Sequence, residues 1–470
     1  MSASSSSAAP AWLTVPADAD DLAPGIWPDT ADRDAQGRLE VGGLSATELV
    51  RRFGTPLYVM DEEEARSRAR RIRTAFETAA AAAGTTARLY YAGKAFLCAE
   101  MVRWMREEGL GVDVCTSGEL AVALAAGAAP EALGLHGNNK STDLLARAVS
   151  AGIGTVVIDS DDEIDRLADL TAGVSPPRPV LLRVRTGIHA DTHSYLATAH
   201  EDQKFGFAPE QAARAAARVR ALPGLRLQGL HCHIGSQILD IAGFEASAER
   251  LVALHAELLA DGPLPTMNLG GGFGIAYTRA DDAPLIEAVA DRIVGAVARA
   301  CAARGIPVPG LAFEPGRWIA GPAGLTLYTV GTVKPVALGA DARRTYVSVD
   351  GGMSDNPRPA LYGAAYSARI ASRRSAAAPV LTRVVGSHCE SGDIVVDAEY
   401  LPGDVAPGDV LAVPATGAYC FSLSGNYNYV PRPPVVCVAG GEARILVRGE
   451  TVDDLLRRDA GLADPREGAQ

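Results

Sequence analysis

Residues 88–128 read RLYYAGKAFLCAEMVRWMREEGLGVDVCTSGELAVALAAGA, and this stretch contains the pattern on which the central part of the chain is built. A β-prone run, Arg88–Ala95, ends in a glycine and a lysine, and a second run, Leu110–Thr116, ends in polar residues. A helical segment, Ser117–Ala128, follows the second run. Strand, polar end and helix together form the repeating unit of an alternating α/β fold.

The same pattern recurs between residues 88 and 317. The β-prone runs are Arg88–Ala95, Leu110–Thr116, Ala132–Asn138, Gly154–Ser160, Pro179–Arg185, Arg226–Ile234, Thr266–Gly272 and Leu311–Arg317. Helical segments between them include Ser117–Ala128, Thr142–Ala151, Pro209–Ala221, Phe244–Asp261 and Ala283–Arg304. Eight even strand–helix units predict a (β/α)8 TIM barrel, because a doubly wound sheet rarely provides so many.

The pattern changes after residue 320, where strand-like runs alternate with turns. These runs are Leu325–Val336, Thr345–Val349, Val380–Val385, Asp409–Val413 and Val435–Val447. They predict a mostly antiparallel β domain, which the isolated run Thr55–Val59 is expected to join. The expected divisions are a loosely ordered extension (1–43), a strand segment (44–61), the barrel (62–322) and the β domain (323–470).

Composition excludes several classes of partner and location. With 44 Lys and Arg against 56 Asp and Glu, the net charge of -12 argues against nucleic acid and anionic membranes. The seven cysteines are odd in number and form no CxxC pair, which favours reduced cytosolic thiols over a disulfide framework or zinc ribbon. The sequence contains neither a long apolar run nor a secretory signal, so no membrane segment and a cytoplasmic location are expected.

Lys94 follows the apolar run Leu89–Tyr91. A lysine in such surroundings is expected to be partly desolvated, which lowers its pKa and makes the amine a nucleophile. Covalent binding of pyridoxal 5'-phosphate (PLP) requires such an amine. A lysine at a strand edge whose ammonium reaches the solvent is the alternative, and this segment alone leaves it open.

The other strand ends favour the PLP interpretation, because chemistry in a TIM barrel lies at the C-terminal ends of the strands. Glu314 ends the eighth run, and its carboxylate is suited to a protonated pyridine nitrogen, although a structural ion pair with Arg317 is the alternative. The cluster Gly270–Gly272 ends the seventh run, and its bare backbone N–H groups suit a phosphate. Glycine clusters also mark ordinary turns.

Two histidines of the sixth run, His231 and His233, share one face of a strand. Metal binding is one interpretation, but no third ligand is evident nearby. A flat imidazole against a flat cofactor ring suits His233, and Ser236 is placed to bind the phosphate.

Two later loops carry groups suited to a substrate. In Asp350–Tyr362, Arg358 presents a planar fork that fits a carboxylate. In His388–Asp393, Cys389 stands beside acids and is suited to donate a proton to carbon. The alternative for a lone cysteine is a small buried hydrophobe.

Taken together, these residues resemble the diaminopimelate decarboxylase family of fold type III, alanine-racemase-like PLP enzymes. The resemblance spans about Ser45 to Asp459. Its motifs are Tyr91–Ala95, His136–Ser141, Lys204–Gly206, His231–Gln237, Gly270–Gly272, Glu314–Arg317, Asp350–Tyr362, Cys389–Asp393 and Gly417–Tyr419. The agreement over Gly351–Ala360 is highly specific, whereas the glycine cluster and Glu314–Arg317 alone would fit several sister decarboxylases.

The resemblance implies that Lys94 binds PLP covalently, Glu314 pairs with its pyridine nitrogen and His233 stacks on its ring. The other implied cofactor-binding residues are Asp113, Ser236, Gly271, Gly272, Pro315, Gly316, Arg317 and Tyr419. The residues implied for the distal end of meso-diaminopimelate are Arg317, Arg358, Tyr362, Glu390 and Tyr419. Cys389 would reprotonate the α-carbon after loss of CO2.

The implied reaction yields L-lysine and CO2 in an obligate homodimer, in which Cys389 and Glu390 complete the active site of the partner subunit. A sister decarboxylase of ornithine, lysine, arginine or a carboxylated polyamine is the nearest alternative, but those substrates lack the second carboxylate that Arg358 suits. An amino-acid racemase of the same fold is disfavoured by Glu314. A catalytically inactive homologue is disfavoured by the presence of Lys94 and Cys389.

Overall fold

The computed structural model describes residues 9–188, 204–339 and 342–462. The chain divides into two compact units. One, here called the barrel unit, comprises Arg66–Gly274 and Ala283–Ile319. The other, here called the β unit, comprises Met1–Ala65, Ile275–Asp282 and Ala320–Gln470.

The first elements of the chain belong mostly to the β unit. They are β1 (Asp32–Arg33), β2 (Leu39–Val41), β3 (Leu44–Ser45), α1 (Ala46–Phe53) and β4 (Leu57–Asp61). Ser45 caps α1, since its side chain accepts a hydrogen bond from the backbone N–H of Glu48. The long helix α2 (Glu62–Ala82) then leads into the barrel unit.

The barrel unit alternates strands with helices. Its further elements are β5 (Ala87–Ala92), α3 (Ala99–Glu107), β6 (Gly111–Val114), α4 (Ser117–Ala125), β7 (Leu133–Leu135), α5 (Thr142–Ala151), β8 (Thr155–Ile158), α6 (Asp161–Leu170), β9 (Arg178–Arg183), α7 (Pro209–Arg220), β10 (Leu225–His231), α8 (Ala242–Leu259), β11 (Thr266–Asn268), α9 (Ile286–Ala302) and β12 (Gly310–Phe313). The short helix α10 (Arg317–Ala323) follows.

Strands β5 to β12 close into a parallel barrel, in which β12 pairs with β5. This confirms the predicted (β/α)8 fold. Several strands end earlier than the sequence suggested, and β11 ends at Asn268 rather than Gly272. The reason is conformational, because Gly270 and Gly272 have φ values of 68° and 106°, outside the β region.

The rest of the β unit is mostly antiparallel. Its elements are β13 (Gly324–Ala337), β14 (Arg343–Val349), α11 (Arg358–Tyr362), β15 (Arg369–Ile370), β16 (Pro379–Val385), β17 (Ile394–Pro402), β18 (Val410–Pro414), β19 (Val435–Ala439), β20 (Glu442–Val447) and α12 (Val452–Leu456). Strands follow the order β17-β16-β14-β13-β4-β19-β20, and β18 pairs with β13 and β15. Strand β4 pairs with β13 and β19, which confirms that an N-terminal strand joins this domain.

The segment before residue 44 packs more tightly than the expected loosely ordered extension. Trp27 and Ile26 are buried in one core with Leu39 of β2 and Leu57 of β4. Arg33 forms a buried ion pair with Asp20. The sequence did not predict this packing, because Ile26, Trp27 and Leu39 are too few and too unevenly spaced to give a periodic pattern, although each is buried in the β unit. Residues 1–8 lie outside the described part.

The boundaries of the units also differ from the expected barrel range of 62–322. Ile275–Asp282 groups with the β unit although it lies between two barrel elements, β11 and α9. Within the described residues, no helix combines the length and apolar character that crossing a membrane requires.

Candidate active site

Lys94 lies in a 3-10 turn, Gly93–Ala95, directly after β5. Its neighbours Ala92 and Ala95 are buried, but the Lys94 side chain itself is exposed, unlike the partly desolvated lysine expected from the sequence. The turn takes the chain out of the strand at this residue, so Lys94 does not share the burial of the preceding apolar run. Its ammonium is near enough to act on two neighbours: it opposes the burial that raises the pKa of Asp113, and it adds to the burial that lowers the pKa of His233.

Three nitrogen groups converge on one oxygen of Glu314, which follows β12. Asn268 Nδ2 donates a hydrogen bond to Oε1 at 2.6 Å. His231 Nε2 lies 3.0 Å and His136 Nε2 3.4 Å from the same oxygen. These side chains come from the ends of β11, β10 and β7. Among the described residues, none donates a hydrogen bond to the other oxygen, Oε2.

The electrostatics of this cluster favour an ionised Glu314 between neutral imidazoles. Burial lowers the pKa of His136 and of His231 to about 4, so both rings are neutral near pH 7. Burial acts to raise the pKa of Glu314, but the neighbouring histidines outweigh it and hold that pKa well below its usual range. Nitrogen groups within hydrogen-bonding distance stabilise the carboxylate form.

Asp113, on β6, has the opposite tendency. Burial and then the charge of Glu314 raise its pKa well above the usual value. Its Oδ1 lies 3.3 Å from His136 Nε2, so one imidazole lies between the two carboxyl groups. Two carboxyl groups whose pKa values are pushed apart are typical of an active site, and here the protein favours the protonated form of Asp113 and the ionised form of Glu314.

The structure brings three potential metal ligands together, but of the two histidines considered from the sequence only His231 is among them. His136, His231 and Glu314 each offer a ligand atom, all within 4.8 Å of one another. Glu314 Oε1 already accepts the short hydrogen bond from Asn268, so the cluster is better described as a hydrogen-bonded support for the carboxylate. Asn268 and His136 were not predicted as site residues, although each lies at or next to a strand end.

Gly270–Gly272 brings the loops after β10, β11 and β12 together. A Cβ atom on Gly271 would overlap the carbonyl oxygen of Glu314, and one on Gly272 would overlap that of Gly235. Only glycine permits this approach. The backbone N–H of Gly271 donates to His233 Nδ1 at 3.2 Å, whereas the N–H of Gly272 donates to none of the described residues.

His233 is therefore held through its ring nitrogen. Burial, assisted by the charges of Lys94 and Arg183, lowers its pKa well below the usual value, which fits a neutral ring that accepts at Nδ1. Two other residues predicted for the phosphate are in contact, since Arg317 Nη2 donates to Ser236 Oγ at 2.7 Å.

Pro315 and Gly316 bring the end of β12 against the end of β5. The backbone N–H of Ala92 donates to Pro315 O at 3.0 Å. A Cβ atom on Gly316 would lie 3.0 Å from the Cβ atom of Ala92, a spacing that leaves no room for a larger residue. The segment after Glu314 thus lies next to the turn that carries Lys94.

In the β unit, the predicted substrate residues differ sharply in exposure. Arg358 is buried in α11, and the one hydrogen bond of its side chain to the described residues goes to Tyr366 Oη. It makes no ion pair with a described carboxylate. Tyr362, Cys389 and Glu390 are exposed in the single chain, so Cys389 is not part of the core of its own subunit. Tyr419 is half-buried and has a φ of 65°.

The loops that carry Arg358 and Cys389 are joined by Asp393. Its carboxylate accepts the backbone N–H of Met353 at 2.6 Å and that of His388 at 2.7 Å. His388 contacts Ser354 Oγ through Nε2 at 2.8 Å and Asn428 Oδ1 through Nδ1 at 3.1 Å. Sequence reasoning missed His388, whose position next to Cys389 was the available signal.

The model for the pyridoxal binding domain of pyridoxal-dependent decarboxylases matches residues 68–321, more than half of the 470 residues. This chain belongs to the pyridoxal-dependent decarboxylases. The match covers nearly all of the barrel unit, including Lys94, Asp113, His233 and Glu314.

Relatives of this decarboxylase extend the likeness to the β unit. It is 52% identical over 443 residues to a diaminopimelate decarboxylase of Mycobacterium tuberculosis, covering 93% of this chain and 98% of that one. It is 43% identical over 435 residues to one of Bacillus subtilis, covering 92% and 97%. The crystal structure of diaminopimelate decarboxylase from M. jannaschii in complex with L-lysine is similar, with a TM-score of 0.85, 29% identity and coverage of 93% and 99%.

Proposed function

We propose that this decarboxylase converts meso-2,6-diaminopimelate to L-lysine and CO2, the last step of lysine biosynthesis. The observation that carries the choice of substrate is Arg358, a buried guanidinium that makes no ion pair with a described carboxylate. An unpaired buried cation is costly, so a carboxylate supplied by the substrate is the natural partner. The relatives named diaminopimelate decarboxylase, which align over nearly the whole chain, support the same substrate.

The barrel unit fits PLP as the cofactor. The open Oε2 of Glu314 suits a pyridinium N–H, the exposed amine of Lys94 suits covalent attachment, and the neutral ring of His233 suits stacking. The residues proposed for the phosphate are Ser236, Gly271, Gly272, Gly316, Arg317 and Tyr419, with Asp113 and Pro315 at the edge of the site. Bound PLP supplies the electron sink for the pair released when the bond to CO2 breaks.

The backbone N–H of Gly271 is not free to bind the phosphate, because it already donates to His233 Nδ1. The N–H of Gly272 is open among the described residues and is the better donor for phosphate. Gly271 then acts by orienting His233 and by allowing the close approach to Glu314.

The substrate carries two amino-acid ends, and the chain has groups for both. Arg317 and Arg358 suit the distal carboxylate, Glu390 the distal ammonium, and Tyr362 and Tyr419 offer further hydrogen bonds. Holding the distal end orients the bond to the leaving carboxylate, which determines the rate and the stereochemistry. Loss of CO2 consumes one proton at the α-carbon, which the thiol of Cys389 donates and solvent then restores.

We further propose a homodimer in which Cys389 and Glu390 complete the active site of the partner subunit. Both side chains are exposed in the single chain, as is Tyr362 at 65%. Large apolar side chains of the same unit, Leu361 and Tyr429, are 60% and 64% exposed, which suits a surface covered by a second copy. All seven cysteines are free thiols, which supports a cytoplasmic location.

The test is an assay of purified full-length protein with PLP and meso-diaminopimelate, in which CO2 and L-lysine are measured. L-Ornithine, L-lysine and L-arginine serve as control substrates. Lysine should form from the meso acid, and the controls should not react. Arg358→Met should lower kcat/KM by about 100-fold, since a lost charged hydrogen bond costs up to ~3 kcal/mol. Turnover of ornithine or arginine without turnover of the meso acid would overturn the assignment.

A further inference from the structure

Two tyrosine rings cover the guanidinium of Arg358. Its Cζ atom lies 4.8 Å from the ring centroid of Tyr277 and 5.5 Å from that of Tyr366. The rings themselves meet edge to face, with centroids 5.2 Å apart and planes at 80°. All three side chains are buried in the β unit, and a cation over aromatic faces is attracted by their quadrupoles.

The two tyrosine rings hold the guanidinium of Arg358 in place without neutralising its positive charge. A carboxylate partner would hold the guanidinium equally well, but it would compete with an anionic ligand for the same N–H groups. The tyrosine rings contact the guanidinium without such competition, and Tyr366 Oη accepts a single hydrogen bond from Nη1. The other N–H groups, Nε and Nη2, donate to no other described residue and remain available to a carboxylate.

Tyr277 reaches this position through the short segment Ile275–Asp282. Asp281 forms a turn in this segment, because its Oδ2 accepts hydrogen bonds from the backbone N–H groups of Tyr277 at 3.0 Å and Thr278 at 2.8 Å. It continues the chain directly from Gly270–Gly274, which lies in the barrel unit. Tyr277, which follows the proposed phosphate loop in sequence, thus contacts the proposed substrate arginine from a segment whose backbone is held by hydrogen bonds.

We infer that Tyr277 and Tyr366 are positioning residues that orient Arg358 toward the distal carboxylate of the substrate. They thereby set the preference for an amino acid with a distal carboxylate over one without it. The inference rests on the proposed function and assigns a role to two tyrosines that are not among the residues proposed to touch the substrate.

The test compares variants of the full-length holoenzyme. Tyr277→Leu keeps Arg358 but removes one aromatic face, so KM for meso-diaminopimelate should rise roughly 3- to 30-fold, the range expected for a buried cation–π contact. The value of kcat should fall by a smaller factor than KM rises, because Arg358 is still present to orient the distal end and the groups at the reacting carbon are untouched. Tyr277→Phe retains the ring and should restore a KM close to that of the wild type.

Tyr346→Leu is the matched control. Tyr346 stacks with Arg383 in the same unit, with Cζ 5.8 Å from the ring centroid, and neither residue belongs to the proposed site. Its removal should leave KM unchanged. If Tyr277→Leu does not yield folded holoenzyme, Tyr366→Phe, which removes only the hydroxyl, is expected to raise KM in the same assay.

The outcomes separate the two proposals. Wild-type protein that does not act on meso-diaminopimelate overturns the proposed function and this inference with it. If the wild type acts on meso-diaminopimelate but KM is unchanged in both Tyr277→Leu and Tyr366→Phe, the inference alone is overturned. A rise in KM that is equally large in Tyr346→Leu, or that Tyr277→Phe does not rescue, identifies a general structural effect and also overturns it.

Discussion

At the scale of single residues, Asp355 is the buried acid that organises the loop preceding Arg358. Its Oδ1 accepts the backbone N–H of Gly352 at 2.7 Å, and its Oδ2 accepts the hydroxyl of Tyr328. The hydroxyl of Tyr58 donates to its backbone carbonyl. Burial outweighs these hydrogen bonds and raises the pKa of Asp355 to about 7.

This raised pKa makes stability depend on pH. Between its unfolded and folded pKa values, roughly pH 4 to 7, folded Asp355 binds a proton that the unfolded chain has released. Its contribution to the free energy of unfolding therefore decreases as pH rises through that window, by up to ~1.4 kcal/mol per pH unit. Asp355→Asn should gain stability relative to the wild type as pH rises from 5 to 7, as measured by thermal unfolding. The exposed-site variant Asp453→Asn should show no such gain, and an equal gain there would refute the explanation.

At the scale of elements, a buried ion pair holds the loop after β7. Lys140 Nζ donates to Gly137 O, Val157 O and Glu163 Oε1, each at 2.7 Å, and thus joins the loop to β8 and α6. Both side chains of the pair are fully buried. His136, one of the groups facing Glu314, lies at the start of this loop, so the pair supports the site without touching it.

Lys140→Met should destabilise the fold by about 3–5 kcal/mol, because it leaves the buried carboxylate of Glu163 without a partner. The double variant Lys140→Met, Glu163→Leu should recover much of that loss, since no charge then remains buried. Denaturant unfolding of the three proteins measures both effects. As a control, Arg51→Met, which breaks the exposed ion pair between Arg51 and Glu48, should cost less than about 1 kcal/mol. A double variant no more stable than the single one would contradict the charge-burial explanation.

At the scale of the whole molecule, the proposed groups are divided between the two units. Lys94 and Glu314 belong to the barrel unit, and Arg358, Cys389 and Glu390 to the β unit. If a second subunit supplies Cys389, two inactive variants should complement each other. A hybrid dimer of Lys94→Ala and Cys389→Ala chains would contain one intact site and one doubly altered site.

Mixing the two variants under conditions of subunit exchange should restore about a quarter of wild-type activity. Random pairing makes about half of the dimers hybrids, and each hybrid has one working site out of two. Native mass spectrometry confirms that hybrids have formed, and each variant alone provides the baseline. Hybrids without recovered activity would place both residues in one subunit's site and refute the shared arrangement.

The barrel and the added β domain could be predicted from the order of residues alone, because alternation of β-prone runs and helices is a local pattern. The motifs around Lys94, Glu314, Arg358 and Cys389 were likewise visible as chemistry at predicted strand ends and loops. The burial of Trp27 in the β unit was not, because isolated apolar residues carry no period.

The contacts that define the candidate site required the folded chain. Asn268, His231 and His136 meet at one oxygen of Glu314 because strand order and register bring their strand ends together. Tyr277 contacts Arg358 because Ile275–Asp282 belongs to the β unit although it lies between two barrel elements in sequence. No local sequence pattern predicts this grouping. The exposure of Lys94 depends on a single turn. Propensity and periodicity act over a few residues, whereas these contacts join residues tens of positions apart through the packing of the whole fold.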